Sequence, residues 1–81
     1  LRAALAVSPA VEGGVLVLKV LPGTLAADAG LRSGDVIARA NGQPVASPRA
    51  LHRAMLAARE TRALVLRVER RGEGKEVRLA W

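Results

Sequence analysis

The amino-acid sequence predicts a β-rich fold: a partly opened antiparallel β-sandwich or barrel of 5–6 strands, closed by one short helix and one long helix. Three observations favour this fold class. Short aliphatic runs alternate with Gly, Pro and Asn turn residues. Only one segment has the apolar periodicity of a long amphipathic helix. The length of 81 residues suits a single domain, 1–81, and no repeat or linker divides it.

The first two strands are predicted over residues 3–7 and 15–20. The apolar segment 3–7 is expected to end at Ser8-Pro9. The run Val-Leu-Val-Leu-Lys-Val at 15–20 is typical of a strand buried on both faces or nearly so. The glycines at 13 and 14 supply the turn between them.

A short helix over 25–29 and a third strand over 36–40 follow. Thr24 is a suitable N-cap, and Gly30 suits the left-handed residue that closes a helix. Ser33-Gly34-Asp35 then turns the chain into the third strand.

The long helix is predicted over 48–59. Asn41-Gly42 is a strong hairpin-turn signal, and Ser47-Pro48 provides an N-cap followed by proline at the first helical position. The buried stripe of this helix, at i, i+3, i+4, i+7 spacing, comprises Leu51, Ala54, Met55 and Ala58.

A closing hairpin is predicted from strands at 64–68 and 76–79 around a turn at 71–75. Alternation predicts that 64, 66 and 68 share one face, whereas Val77 and Leu79 share another. An antiparallel sheet of this kind leaves an edge, and an unpaired edge beside an apolar helix forms a groove suited to an extended peptide.

The residue types present exclude most site chemistry. The chain has no cysteine and a single histidine, His52, so no disulfide, metal site or cofactor is expected. No serine lies in a nucleophile-elbow motif, and the glycines do not form a phosphate-binding loop. Asp28 and Asp35 lie in turn-like contexts. The domain itself is therefore predicted not to be an enzyme.

The charge balance gives little support to nucleic-acid binding. The net charge is +6, from 13 Lys+Arg and 7 Asp+Glu, but the basic residues form no block and Trp81 is the only aromatic side chain. No apolar run approaches the length needed to span a bilayer, and no signal-peptide pattern opens the chain. We expect no membrane insertion, and a soluble piece of a longer protein.

Residues 22–37 read PGTLAADAGLRSGDVI, and Asn-Gly-Gln-Pro-Val follows at 41–45. This pattern resembles a PDZ domain of the bacterial HtrA/Deg serine protease type, in which the stretch usually reads Pro-Gly-Ser-Pro-Ala-Ala, Ala-Gly-Leu, Gly-Asp-Val-Ile and Asn-Gly. Leu25 and Ser33 stand where prolines are common. The resemblance covers roughly residues 13–80.

The resemblance implies a site for the C-terminal tail of another protein, added as a strand to the sheet edge, with an apolar-Gly-apolar loop binding its carboxylate. Leu5-Ala6-Val7 takes the loop positions, with Arg2 as the upstream basic residue. Ala6 replaces the usual glycine, so either the loop geometry is altered or the register shifts to Ala3-Ala4-Leu5. Residues 1–5 also resemble the opening of a second HtrA/Deg PDZ domain, and a structural first strand without a role in peptide binding is the other interpretation of this segment.

The resemblance assigns the other wall of the groove to Pro48, His52 and Met55 of the long helix. Met55 would line the pocket for the ligand's last side chain, while Leu51 and Ala54 belong mainly to the core. Alternatively, His52 lies on the surface of the helix and makes no contact with the ligand. A rotated helix would instead present the row of Arg49, Arg53 and Leu56.

The function implied by the resemblance is that of a peptide-binding regulatory module in an HtrA/Deg-like serine protease. It would recognise hydrophobic C-termini or extended segments of unfolded protein, beside a protease domain of the parent chain, in the periplasm or elsewhere outside the cytoplasm. Two alternatives remain: a structural or oligomer-contact PDZ domain, and the PDZ domain of a site-2 or C-terminal processing protease.

Overall fold

The computed structural model describes residues 5–81, and the chain forms six β-strands and two α-helices in this range. In chain order they are β1 Leu5–Pro9, β2 Val15–Val20, α1 Leu25–Asp28, β3 Val36–Ala40, β4 Gln43–Pro44, α2 Pro48–Ala57, β5 Ala63–Arg70 and β6 Glu73–Ala80. The β-rich architecture with one short and one long helix is confirmed. No helix in the described part of the chain is both long and apolar enough to span a membrane.

All strands pair antiparallel in one open sheet of order β1-β2-β3-β5-β6, and the short β4 pairs with β3. Strand β1 therefore lies at one end of this order and β6 at the other. Each of these outer strands has one row of backbone N–H and C=O groups that no strand of the described sheet pairs.

The inner face of the sheet and the two helices enclose one hydrophobic core. Its best-buried strand residues are Val15, Val17, Ile37, Leu64, Leu66, Val68, Val77 and Leu79. Leu64 pairs directly with Leu79, and Leu66 with Val77. Because directly paired residues point to the same side of a sheet, the prediction that Val77 and Leu79 occupy a different face was wrong.

Strand β2 is buried on one face only, contrary to the prediction from its continuous aliphatic run. Val15 and Val17 are fully buried, whereas Leu18 is 53% exposed and Lys19 is exposed. The pairing with β1 skips Leu18, because Val7 pairs with Val17 and Ala6 with Lys19, and both Leu18 and Lys19 turn to solvent at this irregularity.

Strand β1 continues through Ser8 and Pro9, where the sequence predicted a break. Ser8 pairs with Leu16 and Pro9 with Val15. Proline is tolerated here because it is the last residue of an outer strand.

The β5–β6 hairpin is tighter than predicted. Arg71 and Gly72 alone form the turn, with φ of 53° and 80°, so the strands extend to Arg70 and from Glu73. Positive φ at both central residues is the geometry of a two-residue hairpin turn. The charged and Gly-rich segment 71–75 suggested a longer turn, but most of it lies on an exposed outer strand.

The predicted helix boundaries are nearly correct. The Thr24 side chain accepts a hydrogen bond from the Ala27 N–H at 3.3 Å, and Gly30, with φ of 95°, follows α1. The Ser47 hydroxyl accepts from the Ala50 N–H at 3.2 Å, and α2 ends at Ala57 rather than at 59.

Candidate functional site

A groove of about 350 Å³ lies between β1 and α2. It is lined by Leu5 and Val7 of β1 and by Pro48, Arg49, Leu51, His52 and Met55 of α2. Five of the seven lining residues are apolar, so the groove is an apolar trough with polar groups on its helix side.

Strand β1 forms one wall of the groove and is an outer strand of the sheet. Leu5 pairs with Val20 and Val7 with Val17, with an irregularity in the register between Ala6 and Val7. Leu5 and Val7 are partly buried and line the groove, whereas Ala6 between them is exposed. The strand thus offers two aliphatic side chains and an unpaired backbone row along the same trough.

Helix α2 forms the other wall, and its rotation is set by Leu51, which is 2% exposed and anchored in the core. Pro48, His52 and Met55 are each partly buried on the side that faces the groove. Residues three and four apart are neighbours on a helix surface, which explains why these three form one row.

The opposite row of α2 faces solvent. Arg53 is exposed, Leu56 is 48% exposed, and neither lines the groove. The rotated helix considered from the sequence is therefore not the observed one, although Arg49 of that row does reach the groove.

His52 is the residue of this wall with a buried polar atom that lacks a partner. Its Nδ1 atom is buried and has no hydrogen-bond partner within the described structure. A buried nitrogen without a partner is an uncommon feature in a folded protein, and here it lies in a residue that lines the groove.

Of the residues implicated by the sequence, Leu5, Val7, Pro48, His52 and Met55 come together around the groove. Ala6 is close in sequence but does not line it, and Leu5-Ala6-Val7 belongs to strand β1 rather than to a loop. Ala6 is not among the residues with positive φ. Arg2 and the alternative Ala3-Ala4-Leu5 register lie wholly or partly outside the described residues.

The sequence interpretation missed two lining residues, Arg49 and Leu51. Leu51 was assigned to the core, and it is both a core residue and the floor of the groove. Arg49 was named only for a rotated helix, although it precedes His52 by three positions and is therefore its neighbour on the helix surface.

Asp35 is the one buried charged residue in the described part of the chain, at 1% exposure. Its Oδ1 accepts from Arg70 Nε at 2.7 Å, and its Oδ2 accepts from Arg70 Nη2 at 2.8 Å and from the Arg32 N–H at 3.0 Å. Arg70 also donates to the Gly30 carbonyl at 2.8 Å. These bonds hold the 30–35 turn against the end of β5.

Burial raises the pKa of Asp35, but the hydrogen bonds from Arg70 and the Arg32 N–H, together with the charge of Arg70, outweigh burial and hold the pKa below its ordinary value. The Arg70 pKa is raised by the same pair. Both carboxylate oxygens are occupied, so Asp35 is a structural anion rather than an acid or base for catalysis.

A family model described as a PDZ domain matches residues 5–80. HhoA of Synechocystis sp., a protein named as a serine protease, is 45% identical over 58 residues, which cover 72% of this chain. The chain spans only 14% of the length of that relative.

Solved structures show the same fold at lower identity. The HtrA3 PDZ domain bound to a phage-derived ligand (FGRWV) has a TM-score of 0.84 at 24% identity, over 95% of this chain and 80% of that chain. The PDZ domain of EpsC from Vibrio cholerae has a TM-score of 0.74 at 22% identity, over 95% and 93%. The chain therefore belongs to the PDZ domain family and resembles the PDZ regions of HtrA-type serine proteases.

Proposed function

We propose that this domain is a non-catalytic peptide-binding module of a longer HtrA-type serine protease. The groove would capture C-terminal or extended segments of other proteins as an additional strand on β1. One observation carries the proposal: the outer strand β1, with an unpaired backbone row, stands across an apolar trough from α2. An extended peptide satisfies the backbone groups of such an edge and buries alternate side chains in the trough.

The length of the groove suits a short peptide. Pro48 and Met55 are separated by seven positions, which correspond to about 10 Å along a helix. An extended strand rises about 3.3 Å per residue, so about three ligand residues lie alongside this wall. Two of them, two positions apart, direct their side chains toward α2.

The chemistry of the wall favours an aliphatic residue at the ligand's C-terminus. Met55 is unbranched and partly buried, and its thioether adapts to side chains of different shape. The HtrA3 PDZ domain, which has the same fold, was solved with a ligand that ends in valine. We expect affinity of about micromolar, because a short strand addition must offset the ordering of a flexible peptide.

The similarity to HhoA supports a parent chain with a serine protease domain, which would provide the catalysis. In such a protein, residues 1–81 would form one PDZ domain that tethers substrates or activates the protease. The expected location is the periplasm or another compartment outside the cytoplasm, as for proteases of the resembled type.

A titration of the ¹⁵N-labelled domain with peptides that end in a free valine or leucine carboxylate tests this function. Binding should perturb the amides of 5–7 together with those of His52 and Met55. Amidation of the peptide C-terminus should weaken binding. Perturbations confined to the β5–β6 hairpin, or none with any peptide, would contradict the groove assignment and support a structural or oligomer-contact role.

A further inference from the structure

A second concave surface lies between the 30–35 turn and the β5–β6 hairpin. This cleft has a volume of about 600 Å³, and it shares no lining residue with the peptide groove. Its charged lining residues are Arg32, Asp35, Arg70, Arg71, Glu73 and Lys75. The cleft is therefore distinct from the proposed peptide site, and its lining is rich in charge.

The charges of this cleft do not balance. Four of its lining side chains are basic and two are acidic. Each acidic side chain already pairs with a basic one, Asp35 at 2.7 Å and Glu73 at 3.8 Å. Arg32 and Arg71 are exposed and take part in none of the ion pairs of the described residues. Two guanidinium groups are thus available to an anion.

Asp35 holds the two walls of the cleft together. Its Oδ2 accepts from the Arg32 N–H at 3.0 Å and from Arg70 Nη2 at 2.8 Å. Arg71 directly follows Arg70 and is the first residue of the β5–β6 turn. The fold itself therefore fixes the segments that carry Arg32 and Arg71 beside each other, which lowers the entropic cost of binding a ligand between them.

Ser33 adds further donors to the same cleft. It is exposed, and its N–H donates to no backbone carbonyl of the described residues. The resembled pattern usually has proline at this position, and proline has neither a hydroxyl nor an N–H. The departure from that pattern therefore places two uncharged hydrogen-bond donors next to Arg32.

The β5–β6 turn itself does not require an arginine at its first position. Arg71 and Gly72 have φ of 53° and 80°, close to the 48° and 81° of Asn41 and Gly42 in the β3–β4 turn. Asn is favoured at the first position of such a turn, because its short polar side chain tolerates positive φ. Arg71 thus departs from local turn chemistry at a position that lines the cleft.

We propose that this cleft binds a terminal phosphate group, either as inorganic phosphate or as the headgroup of a lipid such as phosphatidic acid. Such a group has a charge of about −1.5 to −2 at neutral pH and several strong acceptor oxygens. Arg32 and Arg71 supply the positive charge and planar sets of donors, and Ser33 supplies uncharged donors. A carboxylate has only two acceptor oxygens and a single charge, so it would leave part of this set unused.

A chemical-shift titration of the ¹⁵N-labelled domain tests the site with inorganic phosphate. Sodium phosphate replaces sodium chloride at constant ionic strength and at about pH 7.5, where most of the phosphate is dianionic. The amides of 32–35 and 70–72 should shift with a Kd on the order of millimolar, as expected for a few exposed charge pairs. The groove amides of 5–7, His52 and Met55 should not shift.

Two variants remove the free guanidinium groups one at a time. Arg32→Gln and Arg71→Asn should each weaken phosphate binding about fivefold, the magnitude expected when one exposed charge pair is lost. Arg71→Asn should melt no lower than the unsubstituted domain, because Asn-Gly suits this turn. Arg53→Gln is the matched control, since it removes the same charge from the exposed side of α2. It should leave the affinity for phosphate unchanged.

Co-sedimentation with vesicles identifies the source of the phosphate group. Vesicles of phosphatidylcholine are compared with vesicles that also contain phosphatidic acid. Sedimentation that requires phosphatidic acid, and that is lost in Arg71→Asn but kept in Arg53→Gln, would assign the site to a lipid headgroup. Phosphate binding in solution without such sedimentation would assign the site to free phosphate.

Any one of three results would overturn the proposal. The first is the absence of saturable shifts at 32–35 and 70–72 with inorganic phosphate. The second is a phosphate affinity that neither Arg32→Gln nor Arg71→Asn lowers. The third is an equal loss of affinity in Arg53→Gln, which would mean that the net charge of the domain, and not the cleft, attracts the anion.

Discussion

At the scale of single residues, Asp35 shows how one buried charge fixes a turn. Its carboxylate accepts three hydrogen bonds and anchors Arg70, which also reaches the Gly30 carbonyl. The sequence identified Asp35 only as a turn residue, since nothing local indicates a partner 35 positions away. Its role as an anchor depends on the pairing of β3 with β5.

Asp35→Asn should lower the free energy of unfolding by about 3 kcal/mol near neutral pH, because it breaks a buried ion pair. In the native state the Asp35 pKa lies below its ordinary value. The ionised carboxylate therefore stabilises the fold fully at every pH above that ordinary pKa. This contribution is lost as the pH falls through the lowered pKa. Urea unfolding of the unsubstituted domain and of Asp35→Asn between pH 7 and pH 2 measures their difference in free energy of unfolding. This difference should become smaller only below about pH 4. A difference in free energy of unfolding that does not change with pH would contradict the stabilising role of the ionised carboxylate.

Met55 and Leu51 separate groove from core within one helix. Met55→Ser should abolish peptide binding, yet cost less stability than removal of a fully buried side chain, because Met55 is only partly buried. Leu51→Ala should cost about 2–5 kcal/mol, since Leu51 is 2% exposed and lies in the core. Denaturant melts and peptide titrations of both variants measure the two effects. Equal loss of stability in the two variants would contradict the division between groove and core.

At the scale of elements, the connection between β1 and β2 contains two successive glycines. Both have positive φ, but only one of them lacks space for a side chain. Gly13 and Gly14 have φ of 100° and 83°. A Cβ on Gly13 would meet no atom within 4 Å, whereas one on Gly14 would lie 2.7 Å from the Ile37 carbonyl oxygen. Gly14 therefore permits both the turn and the close approach of β2 to β3.

Gly13→Ala should cost about 1–2 kcal/mol, the strain of a left-handed alanine. Gly14→Ala should cost a further 1–3 kcal/mol or so, because its methyl group must displace the backbone of β3. Thermal unfolding of the two variants compares their stabilities directly. Gly13→Ala is the control, because it introduces the strain of positive φ without a close contact to another residue. Similar melting temperatures would mean that the approach to Ile37 is easily relaxed.

The elements that could be predicted from the sequence are those fixed by local chemistry. Asn41-Gly42 forms a turn with positive φ at both residues, and Ser47 caps α2 as expected. The errors at Val77 and at the β5–β6 turn concern the register and extent of pairing between two strands, and the error at β2 concerns which of its residues the rest of the fold covers. Both depend on contacts between elements, which the local pattern of one segment does not specify.

The helix side of the groove was foreseeable from the family resemblance, which assigns Pro48, His52 and Met55 to it, and all three line the groove. Arg49 lines it as well, and it was named only for a rotated helix. The strand side was less accessible to sequence reasoning. The alternation of Leu5 and Val7 about the exposed Ala6 follows from the pairing of β1 with β2 and its irregular register.

At the scale of the whole molecule, groove and core are parts of one cooperative unit. Leu51 belongs to both, and Leu5, Val7 and Met55 pack against the core from the groove side. A ligand in the groove therefore contacts residues that are brought together only when the entire domain is folded. Binding and global stability must be linked.

We expect a groove-binding peptide to stabilise the folded domain against urea, since the unfolded chain has no groove. At a free peptide concentration of 100 times Kd, the free energy of unfolding should rise by about 2.7 kcal/mol. The amidated peptide at the same concentration, and Met55→Ser with the unmodified peptide, should show much smaller increases. Tight binding without any rise in stability would mean that the peptide also binds the unfolded chain, and the groove would not be its site.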